Sequence, residues 1–170
     1  PGTAVDAADQ LGDPHWSPDG SVIGYTLTDG IHVIRPDGSQ GRLLLTNAAG
    51  FDWSPDGRRI VFTRGRDLAV SDSDGKSTTF VTRTPKLHEG AAEWSPDGRK
   101  IALRRAGKLV VRELDGGKEK IISPEGWDKC SGPAWSPDGK SIAFALLGQD
   151  ANAIHLIPAE GGQPVKVYDK

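Results

Sequence analysis

Apolar and polar positions alternate in short bursts along this chain rather than in the 3.6-residue rhythm of a helix. Ile23-Gly24-Tyr25, Ile60-Val61-Phe62, Ile101-Ala102-Leu103 and Ile142-Ala143-Phe144 each set two large apolar residues around a smaller one. Alternation with period two marks a β-strand, and apolar residues at successive positions mark a strand covered on both faces. The unequal bulk suits a sheet stacked between similar sheets, where large side chains of one fill space left by small ones of the next. A second apolar run follows each burst, at Ile31–Ile34, Leu68–Val70, Leu109–Val111 and Ile154–Ile157. A third closes the unit, at Leu43–Thr46, Thr79–Thr82, Lys120–Ile122 and Val165–Tyr168.

Ahead of every burst stands Trp-Ser-Pro-Asp-Gly: Trp16 to Gly20, Trp53 to Gly57, Trp94 to Gly98 and Trp135 to Gly139, with the tryptophans 37, 41 and 41 residues apart. Proline presets the first corner of a turn, Asp suits the second, and Gly accepts positive φ at the exit. Such a turn closes a hairpin through a glycine bulge, so one strand ends near each Trp and another begins after each Gly. Further turns lie at Pro36-Asp37-Gly38, Asp74-Gly75, Asp115-Gly116-Gly117 and Glu160-Gly161-Gly162. Four short antiparallel strands recurring every ~40 residues make a propeller blade. The predicted fold is one all-β domain, a β-propeller of four four-stranded antiparallel blades at about 9–47, 48–83, 84–123 and 124–170. Residues 1–8 are expected to hold an extra outer strand at Thr3–Ala7.

The pattern of Trp-Ser-Pro-Asp-Gly, then Ile-Ala-Phe, then a short strand and Gly-Gly resembles the TolB-type (WD40-like) β-propeller repeat, over nearly the whole chain. That resemblance implies a non-enzymatic protein-binding domain of the bacterial envelope, periplasmic or extracytoplasmic. Similar blades occur in the substrate-gating propellers of prolyl-oligopeptidase-like peptidases, whose catalysis would sit in a domain absent from this chain. A sugar or small-ligand binder or a lyase working in the channel, and a designed or excised repeat segment that self-assembles, are further readings. TolB-type propellers usually carry six or more blades. Four blades therefore leave three outcomes open: a compact four-bladed monomer, an excerpt of a longer ring, or a homodimer closing an eight-bladed ring. The dimer is the expectation here, because an open arc would expose the large apolar face of one terminal blade and the small apolar face of the other.

Charge adds little to this picture. With 21 Lys and Arg against 23 Asp and Glu the net charge is −2, which does not suit a nucleic-acid partner. Cys130 is the one cysteine, so no internal disulfide forms. No apolar run approaches the ~18 residues of a membrane span, so no membrane insertion is expected. The chain starts at Pro1 rather than Met and shows no signal peptide, which suggests processing or excision from something longer.

Several short motifs suggest chemistry and fail on inspection. Gly75-Lys76-Ser77 and Gly139-Lys140-Ser141 look like the end of a phosphate loop, but Val70 and Ala134 stand where its first Gly belongs. His88-Glu89 starts like a zinc-protease helix, yet Ala92 replaces the second His. Asp72-Ser73-Asp74-Gly75 reads as a turn rather than a calcium loop. No Gly-x-Ser-x-Gly is present. No catalytic group, metal site or cofactor is therefore expected.

Strand alternation puts the loops before each Trp and between second and third strands on one propeller face, and the uniform turns on the other. The variable face is where function is expected, since loops on a rigid scaffold carry it. Candidate protein-binding residues there are Arg64, Arg66, His88, Trp127, Asp128 and Lys129. Trp127 fits no repeat position and reads either as a contact residue or as a loop anchor. His15, Asp52 and Glu93, each preceding a repeat Trp, are expected to line the central channel, either as scattered solvated groups or as a ring around a cation or water. His32 and His155 sit at matching places in third strands and read as structural; the four repeat tryptophans read as packed.

Overall fold

The computed structural model describes residue 12 and residues 14–84, 86–148 and 152–169; the extra outer strand expected at Thr3–Ala7 lies outside the described residues. Among them there is no helix, and sixteen strands form four antiparallel four-stranded sheets. Blade one comprises β1 (His15–Trp16), β2 (Ile23–Leu27), β3 (Gly30–Ile34) and β4 (Arg42–Thr46). Blade two comprises β5 (Ala49–Trp53), β6 (Arg59–Arg64), β7 (Asp67–Asp72) and β8 (Thr78–Phe80). Blade three follows with β9 (Glu89–Trp94), β10 (Lys100–Arg105), β11 (Lys108–Glu113) and β12 (Glu119–Ile121). Blade four has β13 (Ala134–Trp135), β14 (Ser141–Leu147), β15 (Asn152–Pro158) and β16 (Val165–Asp169). Within each blade the strands lie in chain order, so every connection inside it is a hairpin.

The repeated turn is held identically four times. Ser17, Ser54, Ser95 and Ser136 each donate a hydroxyl hydrogen bond of 2.6 Å to the Asp two residues on. The same carboxylate accepts the backbone N–H of the residue after Gly, at 3.0 Å in each copy. These hydrogen bonds hold the turn carboxyls low; at Asp19 those from Ser17 and then Ser21 bring the pKa down to about 2. The turn glycines sit at φ 69, 68, 69 and 70°, a region that costs a β-carbon dearly.

Blades stack by one rule. Directly paired residues on neighbouring strands share a face, so Trp53, Ile60 and Phe62 face blade one while Val61 and Leu68 face blade three. One apolar cluster joins Ile31, Val33 and Leu45 of blade one to Phe51, Trp53, Ile60 and Phe62 of blade two. A second joins Val61 and Leu68 to Trp94, Ile101 and Leu103, and a third joins Ala102, Leu109 and Val111 to Ile142, Phe144 and Ile157. Gly24 shows how tight the contact is, because a β-carbon there would lie 2.6 Å from the Phe51 ring. Full burial of each such Leu, Ile or Phe is worth ~1.5–3 kcal/mol, so these seams are the core.

Among the described residues no apolar cluster joins blade four to blade one. The expectation that every blade is covered on both faces, with all four tryptophans packed, therefore fails at the ends. Trp53 and Trp94 are buried, but Trp16 is 59% exposed.

The turn geometry gives a direct test. Gly57→Val should lower stability by about 1–3 kcal/mol, since it forces a β-branched residue to φ near 68°. Arg58→Ala, on the exposed side of the same turn, should stay within about 0.5 kcal/mol. Urea melts of the two variants check this, and equal losses would contradict it.

Candidate functional site

On the face opposite the repeated turns, five connections lie side by side, bridged by backbone hydrogen bonds. Glu89 N–H donates to the Arg66 carbonyl (3.2 Å) and Ala106 N–H to the His88 carbonyl (2.9 Å). Cys130 N–H donates to the Gly107 carbonyl (2.8 Å) and Leu147 N–H to the Lys129 carbonyl (3.1 Å). The β6–β7 turn, the loop before β9, the β10–β11 turn, the loop before β13 and the end of β14 thus form one seam. Gly107 is required within it, because a β-carbon there would fall 1.6 Å from the Asp128 carbonyl oxygen.

The sequence candidates distribute unevenly along this seam. Arg66, His88, Asp128 and Lys129 are exposed. Arg64 is half-buried, donates to the Thr46 carbonyl (3.2 Å) and lies over the Phe62 ring at 5.0 Å, so it braces blade one against blade two. Trp127 folds inward, with its ring 4.8 Å from His155 and 6.1 Å from Phe144, and joins the apolar cluster between blades three and four. Of its two readings, this geometry is that of the anchor. His155 is buried beneath it, and His32, at the matching place in blade one, stacks on Tyr25 at 5.5 Å and bonds Asp29 at 2.7 Å.

His15, Asp52 and Glu93 line one cavity of about 560 Å³ together with Thr26, Phe51 and Pro133. Asp52 and Glu93 are half-buried, whereas His15 is exposed. Asp52 accepts the Trp94 N–H (2.9 Å) and Glu93 accepts the Trp135 N–H (2.8 Å), so each carboxylate staples its inner strand to the next blade. A register shift in β5, between Ala49 and Asp52, precedes the first of them, and such bulges re-aim side chains. Burial pushes the carboxyl pKa of both upward, and for Glu93 the neighbouring Asp52 charge adds to it. His15 instead packs its ring 5.2 Å from Phe51. Among the described residues no group of three or more His, Cys, Asp or Glu is arranged to hold a metal ion.

One cluster was missed by motif reasoning. Glu89, set aside with the His88-Glu89 motif, has a fully buried side chain that pairs with Arg105 Nε at 2.5 Å. It also accepts from the Thr82 hydroxyl and from Thr84 Oγ1 (3.1 Å), tying blade two to blade three. Arg105 reaches on to Glu119 at 2.6 Å, which Arg112 also contacts at 2.5 Å. The hydrogen bond from Arg105 is the chief cause of a lowered Glu119 pKa.

Comparison with known proteins places the fold. No protein-family model matches the sequence, and no curated protein does either. Among solved structures the chain is similar to a putative TolB from Agrobacterium tumefaciens, with a TM-score of 0.83 and 21% identity over 95% of this chain and 63% of that one. It is also similar to a chain of a nidogen/laminin complex, with a TM-score of 0.80 and 13% identity, covering 94% of this chain and 65% of that one. An oligogalacturonate lyase in complex with manganese matches at 0.71 and 14%, covering 92% and 52%. The fold is that of a TolB-type β-propeller, and the chain spans less than two thirds of the length of these structures.

The staples carry a pH signature. Because folding raises the Asp52 pKa above its ordinary 3.8, the stability tied to its protonated form is present below that value and lost as pH rises through the folded pKa. Asp52→Asn keeps an acceptor for Trp94 N–H without the buried charge. Its stability relative to wild type should therefore be greatest at neutral pH, shrink as pH falls through the raised Asp52 pKa, and level off below 3.8. Urea melts across that range check the sign; a relative stability that grows on acidification would contradict it.

Proposed function

We propose that the chain is a non-enzymatic scaffold that binds a protein partner through the variable-loop face, in an extracytoplasmic compartment by its likeness to TolB. The observation that supports this most is the bridged seam of loops, which presents Arg66, His88, Asp128 and Lys129 on a fixed platform. Loop backbones fixed in this way lose little freedom on binding, which favours recognition. Arg64 and Trp127 serve the same site from beneath, by holding the loops in place. Catalysis has no support from the remaining groups. Asp52 and Glu93 each engage an inter-blade N–H, and burial pushes the Cys130 thiol up to about 11, which keeps it protonated at neutral pH.

A partner recovered on the immobilised chain should bind Arg66→Glu and Lys129→Glu at least about tenfold more weakly, at unchanged melting temperature. Lys76→Glu and Lys140→Glu, on the turn face, should leave affinity unaltered. Equal weakening by the turn-face pair would place the site on the opposite side. Ester, peptide and oligogalacturonate substrates should show only background turnover, and activity abolished by Asp52→Ala would overturn the non-enzymatic assignment.

A further inference from the structure

The variable-loop rim of blades two to four separates its charges as it folds. Two of its acids turn inward: Asp67 accepts the Thr84 N–H at 2.6 Å, and the buried Glu89 pairs with Arg105. Most of its bases stay outside. Arg66 in the β6–β7 turn, Lys86 in the loop before β9, Arg104 near the end of β10 and Lys129 in the loop before β13 are exposed, and Lys108 at the start of β11 is half-buried. Among the described residues none of these five forms an ion pair. The same loops expose two carboxylates, Glu125 and Asp128.

Backbone bonds set these cations side by side. The Glu89–Arg66, Ala106–His88 and Cys130–Gly107 bridges join the segments that carry Arg66, Lys86, Arg104, Lys108 and Lys129. Lys86 is held within a turn closed by Leu87 N–H on the Thr84 carbonyl (2.9 Å). The Arg104 guanidinium lies beside the start of β9, since a β-carbon on Gly90 would be 3.8 Å from its Nη2. Leu87, between Lys86 and His88, leaves 39% of its surface to solvent.

We infer that the partner segment taken by this rim is an acidic peptide with apolar residues between its carboxylates, an inference that rests on the variable-loop face being the binding face. Cations gathered on a fixed backbone repel one another, and a segment of opposite sign removes that repulsion as it docks. A single exposed ion pair contributes little, so recognition lies in the set rather than in any one contact. Leu87 gives an apolar side chain of the peptide a surface to cover. Glu125 and Asp128 stand among the bases and oppose a continuous polyanion such as a phospholipid surface, whereas a peptide can space its carboxylates around them.

Fluorescence anisotropy with the full chain tests this, using a fluorescein-labelled peptide of repeated glutamate-leucine-glycine and its glutamine-leucine-glycine counterpart. The glutamate peptide should bind at least about tenfold more tightly than the glutamine peptide, and should weaken several-fold between about 50 and 200 mM salt. The double variant Arg66→Glu, Arg104→Glu alters two exposed positions, so its melting temperature should stay near wild type while its affinity for the glutamate peptide falls at least about tenfold. Lys76→Glu with Lys140→Glu, on the turn face, should leave that affinity unchanged. No binding of the glutamate peptide, equal binding of the two peptides, or binding to phosphatidylglycerol vesicles in place of the peptide would overturn the inference. Assaying both double variants against a partner recovered on the immobilised chain separates the two claims. If the peptide fails but Arg66→Glu, Arg104→Glu still weakens the recovered partner, the acidic-peptide inference falls and the binding face stands; if only the turn-face variant weakens it, both fall.

Discussion

Everything in this chain depends on a large apolar face meeting a small one. A four-stranded sheet of short strands buries too little by itself to be stable, so each blade takes its stability from its neighbour. The alternation Ile-Gly-Tyr, Ile-Val-Phe, Ile-Ala-Leu and Ile-Ala-Phe supplies both halves from a single strand. Polar groups then fix the register of what apolar contact only drives together. Asp52 and Glu93 each reach across to the N–H of the next blade's Trp, and Glu89 locks Arg105 beneath the outer strands. Such buried groups cost desolvation energy and are retained where every oxygen finds a donor.

Local chemistry in this sequence was easy to read, and long-range chemistry was not. The Ser-Pro-Asp-Gly turns announce themselves because Ser, Pro, Asp and Gly all act within five residues, and the structure shows the same hydrogen bonds in all four copies. His15, Asp52 and Glu93 share a place before each Trp and line one cavity, but the inter-blade staple was not legible, since it joins residues 42 apart. Glu89 was hidden for a similar reason: its partner Arg105 lies 16 residues on, in a different strand. Trp127 left two readings because loop sequence does not say which way a side chain folds. Burial on both faces was inferred from a pattern that holds for every blade, whereas the number of neighbours is a property of the assembly.

The same stacking explains why one face is uniform and the other is free to vary. Turns on the first face are fixed by the same Ser–Asp hydrogen bonds and a glycine at φ near 69° in every blade, which leaves little freedom of sequence there. Loops on the second face touch mainly through backbone bonds, so side chains such as Arg66, His88 and Lys129 are unconstrained by the fold. The structural neighbours illustrate the consequence, since a TolB, a chain of a nidogen/laminin complex and an oligogalacturonate lyase share this architecture. What distinguishes such proteins lies in the loops and the channel, and function has to be argued from those residues rather than from the scaffold.

Blade-to-blade burial as the source of stability is tested most directly by backbone hydrogen exchange. Among the described residues, blades two and three pack against a neighbouring blade on both faces, whereas blades one and four do so on one. Amides of β6, β7, β10 and β11 should then exchange most slowly, and those of β2, β3, β14 and β15 distinctly faster. Equal protection in all four blades, or slowest exchange in the terminal ones, would contradict the account.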